Sequence, residues 1–443
     1  MAYSSRHGKR PQEYASKSSH SHVIKDKSVQ EFLGRCNLPK SSEGVLVDDR
    51  QLCRLGSVEN PIQYFIAIDG GYTEVAVRTE FPSATVCFFQ IGALIFALSD
   101  LERLDAQPFI DPDDMTQLKK IQRLEFTMPV RNVTLRTEGT ITNSVRRAIF
   151  DFFRNSMEDG SLIDTLCWLV FEEFGKGVSQ WTLSSCPECG GRQIALRRRE
   201  MSKEHTFKCD QCGGQILLTD VFRLHEAIDD EIGAGGVLGY VTTTIEHMVM
   251  VHLIRLILKT KPALMREILF VKDGPLAFFG QTANMHKPMR ALVQYLFAHQ
   301  NLYLAGLEKS GPFVEHADEI GHKLDNGAAL ILDNDYIYSY VVPGKADPAN
   351  PYGRTTYYGN KVIFKTLAGS MYVASLPTVE VMAKPSAADL RNLDVVLTNI
   401  EKLKCDMYDN ALFPIALANK LVSLANHPSS RILQKFAKAG IGG

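Results

Sequence analysis

Two pairs of cysteines with the spacing Cys-x2-Cys constrain this chain more than any other feature. They lie in CPECGG (186–191) and CDQCGG (209–214), and 19 residues separate Cys189 from Cys209. A glycine after the second cysteine of each pair favours two tight turns that direct four thiolates at one tetrahedral ion. The sequence therefore predicts a zinc ribbon at 181–217, closed by four sulfur ligands and hence structural. The predicted ligands are Cys186, Cys189, Cys209 and Cys212.

A short basic segment, LRRRE (196–200), follows the first cysteine pair. On the hairpin that connects the two pairs, Arg197, Arg198 and Arg199 would form a tip able to bind DNA phosphates. A solvated charged turn explains the same residues equally well. Both interpretations stay open at this point.

The amino-acid composition is that of an ordinary globular protein: of the 443 residues, 45% are hydrophobic and 22% are charged. The formal net charge is −1, so any contact with nucleic acid must come from a local basic patch. Residues 1–27 are polar and predicted to be disordered. No apolar run suggests a membrane span, no signal peptide opens the chain, and nine cysteines then indicate a reducing cytoplasm. Five of these cysteines are expected to pack as small apolar side chains: Cys36, Cys53, Cys87, Cys167 and Cys405.

Hydrophobic periodicity predicts a mixed sheet whose strands are separated in the sequence by a long insertion. Residues 64–79 are predicted to form a strand, a Gly-Gly turn and a second strand, and 85–97 a third strand of an antiparallel meander. The other predicted elements are helices at 115–180, 243–259, from 288 and from 386, and strands at 268–273, 302–311, 328–342 and 361–375. This order predicts one α/β domain in two parts, 28–180 and 218–443, with the ribbon inserted between them.

Three carboxylates are expected to meet at one edge of that sheet. Asp69 follows the apolar run YFIAI, Asp273 follows ILFV, and Glu246 shares the apolar face of its helix with Val249 and Leu253. Buried like charges require a cation, and hard oxygen ligands suit Mg²⁺ or Mn²⁺. Two such ions are the usual device for phosphodiester hydrolysis. Taken singly, each aspartate could be a turn signal and the glutamate a salt-bridged residue.

The order strand Asp, helix Glu, next-strand Asp resembles the ribonuclease H-like fold, and within it the chain resembles the NurA nuclease family. The resemblance lies in AIDGGY (67–72), IEHMVMVHLI (245–254) and LFVKDGPL (269–276), with weaker similarity in AGLEKSG (305–311) and LFPIALANKL (412–421). It implies metal-dependent cleavage of DNA by a homodimer. A HerA-type hexameric ATPase would drive the DNA toward it, in DNA end processing or in defence against foreign DNA.

The resemblance also implies further site residues. Lys309 would lie near the acids and hold the scissile phosphate, although an exposed lysine at a strand end is an equal alternative. The family's C-terminal motif usually carries a metal-binding histidine, and the matching position here is Asn419, a weaker ligand. Asp406, Asp409 or His427 could take its place.

Two other functions are compatible with the sequence. IDGGYTEVAV resembles the first phosphate loop of actin-like and sugar-kinase ATPases, with VKDGP as a second phosphate loop. Alternatively, the chain is a non-catalytic DNA-binding or adaptor protein, in which a zinc ribbon accompanies a decayed nuclease core. Nucleotide binding would identify the first, and DNA binding without cleavage the second.

Overall fold

The computed structural model describes residues 23–45, 47–99, 120–157, 160–404, 412–423 and 429–441. Most of the tail predicted to be disordered lies outside these residues. Its described end, residues 23–27, contains a helical turn at 23–25 and the first residue of helix α1. Cys405 also lies outside the described residues.

The described strands form one large sheet and three small hairpins. In chain order they are β1 (Leu52–Arg54), β2 (Tyr64–Arg78), β3 (Ala84–Ala97), β4 (Lys120–Arg131), β5 (Ser156–Met157), β6 (Gly160–Ser161), β7 (Gln180–Ser185), β8 (Arg192–Arg197), β9 (Thr206–Lys208), β10 (Gln215–Leu217), β11 (Ile268–Asp273), β12 (Tyr303–Glu308), β13 (Ala328–Ile331), β14 (Gly359–Lys365) and β15 (Met371–Pro377). The large sheet has nine strands in the order β1-β13-β14-β15-β12-β11-β2-β3-β4. It is mixed, because β11 pairs in parallel with β2 and β12 while the other neighbours are antiparallel.

Helices cover both faces of this sheet. They are α1 (Lys27–Gly34), α2 (Ile141–Arg154), α3 (Leu162–Val170), α4 (Leu238–Thr260), α5 (His286–His299), α6 (Pro312–Ile320), α7 (Asn334–Tyr340), α8 (Leu393–Leu403), α9 (Phe413–Val422) and α10 (Ser429–Ile441). One face packs against α2 to α5 and the other against α8 and α9. The predicted α/β class, a mixed sheet flanked by helices, is therefore confirmed.

The predicted turn at Gly70-Gly71 is wrong. β2 runs unbroken through both glycines, which pair with Ile91 and Gln90 of β3. The glycines serve close packing: a Cβ on Gly70 would lie 3.0 Å from Glu246 Oε1, and one on Gly71 would lie 2.9 Å from the carbonyl oxygen of Val422. A helix crosses each face of the strand here, so only glycine fits.

The prediction of helix throughout 115–180 is wrong in part. Residues 120–131 form β4, the edge strand that completes the antiparallel meander β2-β3-β4. Phe126, Met128 and Val130 alternate inward along it, the period of a strand. Pro129 fits there because an edge strand has no partner for the missing N–H on its outer side. Helices α2 and α3 fill much of the rest of the segment.

The ribbon consists of two hairpins, β7–β8 and β9–β10, each closed by one cysteine pair. Its inward side chains Leu183, Ile194, Leu196, Phe207 and Ile216 belong to the same buried cluster as α4 and α5. The ribbon thus packs onto the helical layer that covers one face of the sheet.

In the C-terminal part of the chain, residues 334–340 form a helix, whereas 328–342 was predicted to be a strand. The strand ends at Ile331, and Asp333 then accepts a hydrogen bond from the Tyr336 N–H at 2.7 Å. This is an N-cap, and it starts α7. The strand predicted at 361–375 is two paired strands, β14 and β15.

Helix α4 begins at Leu238, five residues before its predicted start. With its preceding turn it is long and apolar enough to cross a membrane by length and composition, which corrects the expectation that no such segment exists. Its most apolar window is 72% buried within the fold, as a core helix would be.

Candidate functional site

The four paired cysteines converge as predicted. Their Sγ atoms all lie within 4.8 Å of one another, with Cys186 and Cys212 3.9 Å apart and Cys189 and Cys209 4.0 Å apart. Four thiolates on one zinc ion would be roughly 3.8 Å apart, the edge of a tetrahedron with Zn–S bonds of about 2.3 Å. The residues present therefore fit a closed zinc site.

Each cysteine pair is held by its own turn. The N–H of Glu188 donates to Cys186 Sγ at 3.4 Å, and the N–H of Gln211 donates to Cys209 Sγ at the same distance. Gly190 and Gly213 have φ of +69° and +75°, the left-handed conformation that favours glycine. The site is thus preformed by local backbone geometry.

The three arginines of the ribbon all contact carboxylates. Arg197 lies 3.2 Å from Glu200, Arg198 lies 2.7 Å from Glu173, and Arg199 lies 3.8 Å from Glu200. The Arg199 side chain is 83% exposed and is the freest of the three. Their role in binding DNA stays a prediction.

Asp69, inside β2, and Asp273, the last residue of β11, lie side by side on neighbouring strands of the sheet. Ile68 of β2 pairs with Lys272 of the parallel strand β11, so the next residue of each strand is an aspartate. Lys309, just beyond β12, lies between them: its Nζ is 2.9 Å from Asp273 Oδ2 and 4.0 Å from Asp69 Oδ2. The structure thus brings together three residues that the sequence placed at one site.

Glu246 reaches the same place from helix α4. Its Oε2 lies 2.8 Å from the Nζ of Lys272, and both side chains are almost fully buried. Lys272 also donates to the main-chain oxygen of Asp273. Sequence reasoning overlooked Lys272, because it stands in an apolar run and only the strand register shows that it lies beneath Glu246.

The acids strongly influence one another. Burial and the neighbouring Asp273 carboxylate raise the pKa of Asp69 to about 8, although the Lys309 ammonium pulls it down. Burial also raises the pKa of Glu246, against the attraction of Lys272. Asp69 Oδ2 is buried and has no hydrogen-bond partner among the described residues. An acceptor left in this state favours a cation, since burying an uncompensated charge is costly.

A cleft of about 380 Å³ opens beside this cluster, and Asp69 is not among the described residues that line it. Glu246, Lys272, Asp273 and Lys309 line it, together with Phe279 at the rim, which is 40% exposed. The cleft is open to solvent and large enough to admit a nucleotide-sized group.

Glu308 is a further acid of the cleft that sequence reasoning missed. It contacts Lys361, which is buried under the aromatic rings of Phe313 and Tyr357. Burial lowers the pKa of Lys361, and the Glu308 carboxylate opposes this shift. This ion pair could not be recognised from the sequence, because Glu308 and Lys361 are 53 positions apart in the chain.

Asn419 lies on α9 with its side chain exposed. Asn419 is not one of the described residues that line the cleft. The alternative ligands Asp406, Asp409 and His427 lie outside the described residues. The fourth ligand inferred from the resemblance stays a prediction.

Three solved structures of NurA proteins are similar to this chain. The crystal structure of the NurA nuclease from Sulfolobus solfataricus has 9% identity and a TM-score of 0.34, over 97% of this chain and 98% of that one. A second NurA crystal structure has 10% identity and a TM-score of 0.30, over 87% and 90%. A crystal structure of NurA with manganese has 10% identity and a TM-score of 0.23, over 95% of each chain. No protein-family model and no curated protein matches the chain.

Proposed function

We propose that this chain is a divalent-metal-dependent deoxyribonuclease with a ribonuclease H-like, NurA-like arrangement of its acids. The observation that carries the proposal is the pair Asp69, inside β2, and Asp273, at the end of the adjacent strand β11, with a buried Asp69 oxygen that no described residue satisfies. The similarity to the NurA structures does not support the function, because its TM-scores are too low. The proposal therefore rests on the geometry of the site.

The donor set fits Mg²⁺ or Mn²⁺. Both aspartates offer hard oxygen atoms to the position that Lys309 now shares with them. When bound there, such an ion supplies the electrostatic stabilisation that hydrolysis of a phosphodiester requires. A second ion, the count that the sequence favours, would have to bind near Glu246, where Lys272 already lies.

The protein's own groups would position the substrate. Lys309 is 25% exposed, so its ammonium can turn from the aspartates toward a phosphate in the cleft. Phe279 at the rim offers a ring on which an unpaired base could stack. Glu308 lines the cleft and is held in place by its buried ion pair with Lys361.

The remaining assignments follow from the resemblance in the sequence. DNA would be the substrate, the protein would act as a homodimer in the cytoplasm with a HerA-type hexameric ATPase, and its role would be end processing or defence. The zinc ion at the four cysteines would be structural. The exposed guanidinium of Arg199 would be the first of the ribbon arginines to meet DNA.

The ATPase alternative loses its main support. A phosphate loop needs a turn whose amides are free to bind oxyanions. Gly70 and Gly71 lie inside a continuous strand, and the Gly70 N–H donates to Asp69 Oδ1 at 2.9 Å. The adaptor alternative is favoured by one observation: each acid already has a lysine neighbour, as structural ion pairs do.

Cleavage assays separate these functions. The purified chain is expected to cut single-stranded or duplex DNA with Mn²⁺ or Mg²⁺, and to stop when the ions are chelated. Asp69→Asn should bind DNA as tightly as the wild type or more tightly, since it removes a negative charge, and should not cut it. A wild-type protein that binds DNA without cutting it under any divalent ion, with and without a hexameric ATPase, would establish the adaptor role instead.

A further inference from the structure

The two lysines of the cleft differ in how firmly they are held. The side chain of Lys272 is 3% exposed, and it contacts both the Glu246 carboxylate and the main-chain oxygen of Asp273. Lys309 is 25% exposed, and it lies beyond the end of its strand. An incoming ion could displace Lys309 into the cleft. Displacing Lys272 would break a buried ion pair, and the Lys272 ammonium would have no solvent-exposed position to move into.

The sheet also separates the acids into two groups. Side chains alternate across a strand, and Ile66 and Ile68 pack on the face that carries α4, whereas Phe65 and Ala67 pack on the other. By this alternation Asp69 belongs to the face opposite α4. On β11, Phe270 packs on the α4 face, so Lys272 belongs there and Asp273 to the opposite face.

The two aspartates therefore form one cation site, shared with Lys309, on the face opposite α4. Glu246 forms a second site on the α4 face, and Lys272 fills it. The two sites meet beside the glycines that follow the aspartates: a Cβ on Gly70 would lie 3.0 Å from Glu246 Oε1, and one on Gly274 would lie 3.7 Å from the Nζ of Lys272.

We propose that the Lys272 ammonium permanently takes the place of a second divalent ion, so that the cleft binds a single metal ion between Asp69 and Asp273. This inference rests on the proposed nuclease function and revises the two-ion mechanism expected from the sequence. The charges agree with it. Once Lys309 is displaced into the cleft, three carboxylates and the fixed Lys272 ammonium leave two negative charges, which one divalent ion neutralises. Glu246 is then a positioning residue that holds Lys272, and it does not bind the metal ion.

The test is a count of Mn²⁺ ions bound to the full-length protein, by calorimetric titration and native mass spectrometry. Zinc is counted separately by elemental analysis. The wild type is expected to bind one Mn²⁺ per chain. Lys272→Met removes the ammonium with little change in shape and is expected to bind two, because Glu246 then becomes available. The double variant Lys272→Met with Glu246→Gln should return to one.

Lys309→Met is the matched control, since it removes the displaceable lysine. It is expected to keep one Mn²⁺ and to bind it several-fold more tightly. A wild type that binds two ions overturns the inference, even if Lys272→Met does not fold, and so does a folded Lys272→Met that binds only one. A wild type that binds no Mn²⁺ also overturns it.

Cleavage is measured in parallel so that the two proposals fail separately. One Mn²⁺ per wild-type chain without DNA cleavage would refute the nuclease function and leave the single-ion site standing. Two ions together with cleavage would do the reverse.

Discussion

The zinc ribbon and the acidic cleft are both candidate metal sites, and they are built in opposite ways. In the ribbon, four ligands of one kind converge within two hairpins that are close in sequence. Among the described residues it is the only group of three or more His, Cys, Asp or Glu side chains whose ligand atoms all lie within 4.8 Å of one another. In the acidic cluster, three carboxylates come from two strands and a helix that are far apart in sequence. Two lysines lie among these carboxylates.

This difference is the one expected between the closed structural site and the open reactive site that we propose. Among the described residues, local backbone N–H groups hold the sulfur atoms of the ribbon, and no lysine or arginine is paired with them. The cleft opens to solvent and holds its own positive charges, which an ion or a phosphate must replace or use. We therefore expect loss of the ribbon to affect stability and loss of the cleft acids to affect activity.

The largest expected effect is on the ribbon. Cys209→Ser should lower the free energy of unfolding by roughly 4 kcal/mol or more, because loss of a metal site is among the few mechanisms with effects of that size. Zinc content and thermal unfolding measure it. Cys36→Ser, which changes an exposed cysteine outside the ribbon, is the control and should change neither. A Cys209→Ser protein that folds normally and loses only DNA cleavage would make the zinc functional rather than structural.

The converse is expected in the cleft. Asp273→Asn should lower the cleavage rate about 10³-fold, which corresponds to about 4 kcal/mol of transition-state stabilisation. Its thermal stability should be unchanged or higher, because one of two adjacent like charges is gone. Asp318→Asn, on an exposed face of α6, removes the same charge and should leave cleavage intact. Equal loss of stability in the ribbon and cleft variants would abolish the distinction.

Much of this architecture could be predicted from the sequence, for physical reasons that are local. The cysteine spacing dictates two turns and one site, and the apolar runs before Asp69 and Asp273 dictate buried strands. The alternation of Phe126, Met128 and Val130 carried a strand signal too, although the segment was interpreted as helix.

What the sequence could not show depends on tertiary contacts. Gly70-Gly71 signals a turn in isolation, and only the approach of Glu246 and Val422 shows that the glycines make room for neighbours. Lys272 is one residue of an apolar strand until the register of β2 and β11 is known. Lys361 contacts Glu308 of the cleft from a strand that no motif marks.

A smaller effect is expected from pH in the cleft. The pKa of Asp69 is raised to about 8, so the folded protein holds a proton that the unfolded chain releases near pH 4. Stability from this proton is fully present at low pH and is lost as pH rises through 8. Without divalent ions, the free energy of unfolding should fall by roughly 2 kcal/mol between pH 6 and pH 8.

Denaturant unfolding at several pH values measures this slope. Asp69→Asn should flatten it, because the amide cannot titrate. An unchanged slope in that variant would mean that another group is responsible. Added Mn²⁺ should also flatten the wild-type slope, because the ion replaces the proton.

The smallest expected effect returns to the ribbon. If Arg199 contacts DNA, Arg199→Ala should weaken binding about equally for all sequences and reduce the slope of log K against log salt by about 0.9. Arg198 is held by Glu173 and lies over Phe171, so Arg198→Ala should cost stability as well. Fluorescence anisotropy over a range of salt concentrations distinguishes the two. An Arg199→Ala protein with unchanged binding would favour the solvated turn.

The central claim is that Asp69 and Asp273 hold a catalytic divalent ion. A crystal structure of the wild-type protein soaked in Mn²⁺, with anomalous data collected for manganese and for zinc, tests it most directly. The account predicts a manganese peak about 2.1 Å from carboxylate oxygens of both aspartates, Lys309 turned away from them, and zinc at the four cysteines. Lys309 still lying between the two aspartates at saturating Mn²⁺, with no manganese peak beside them, would contradict it.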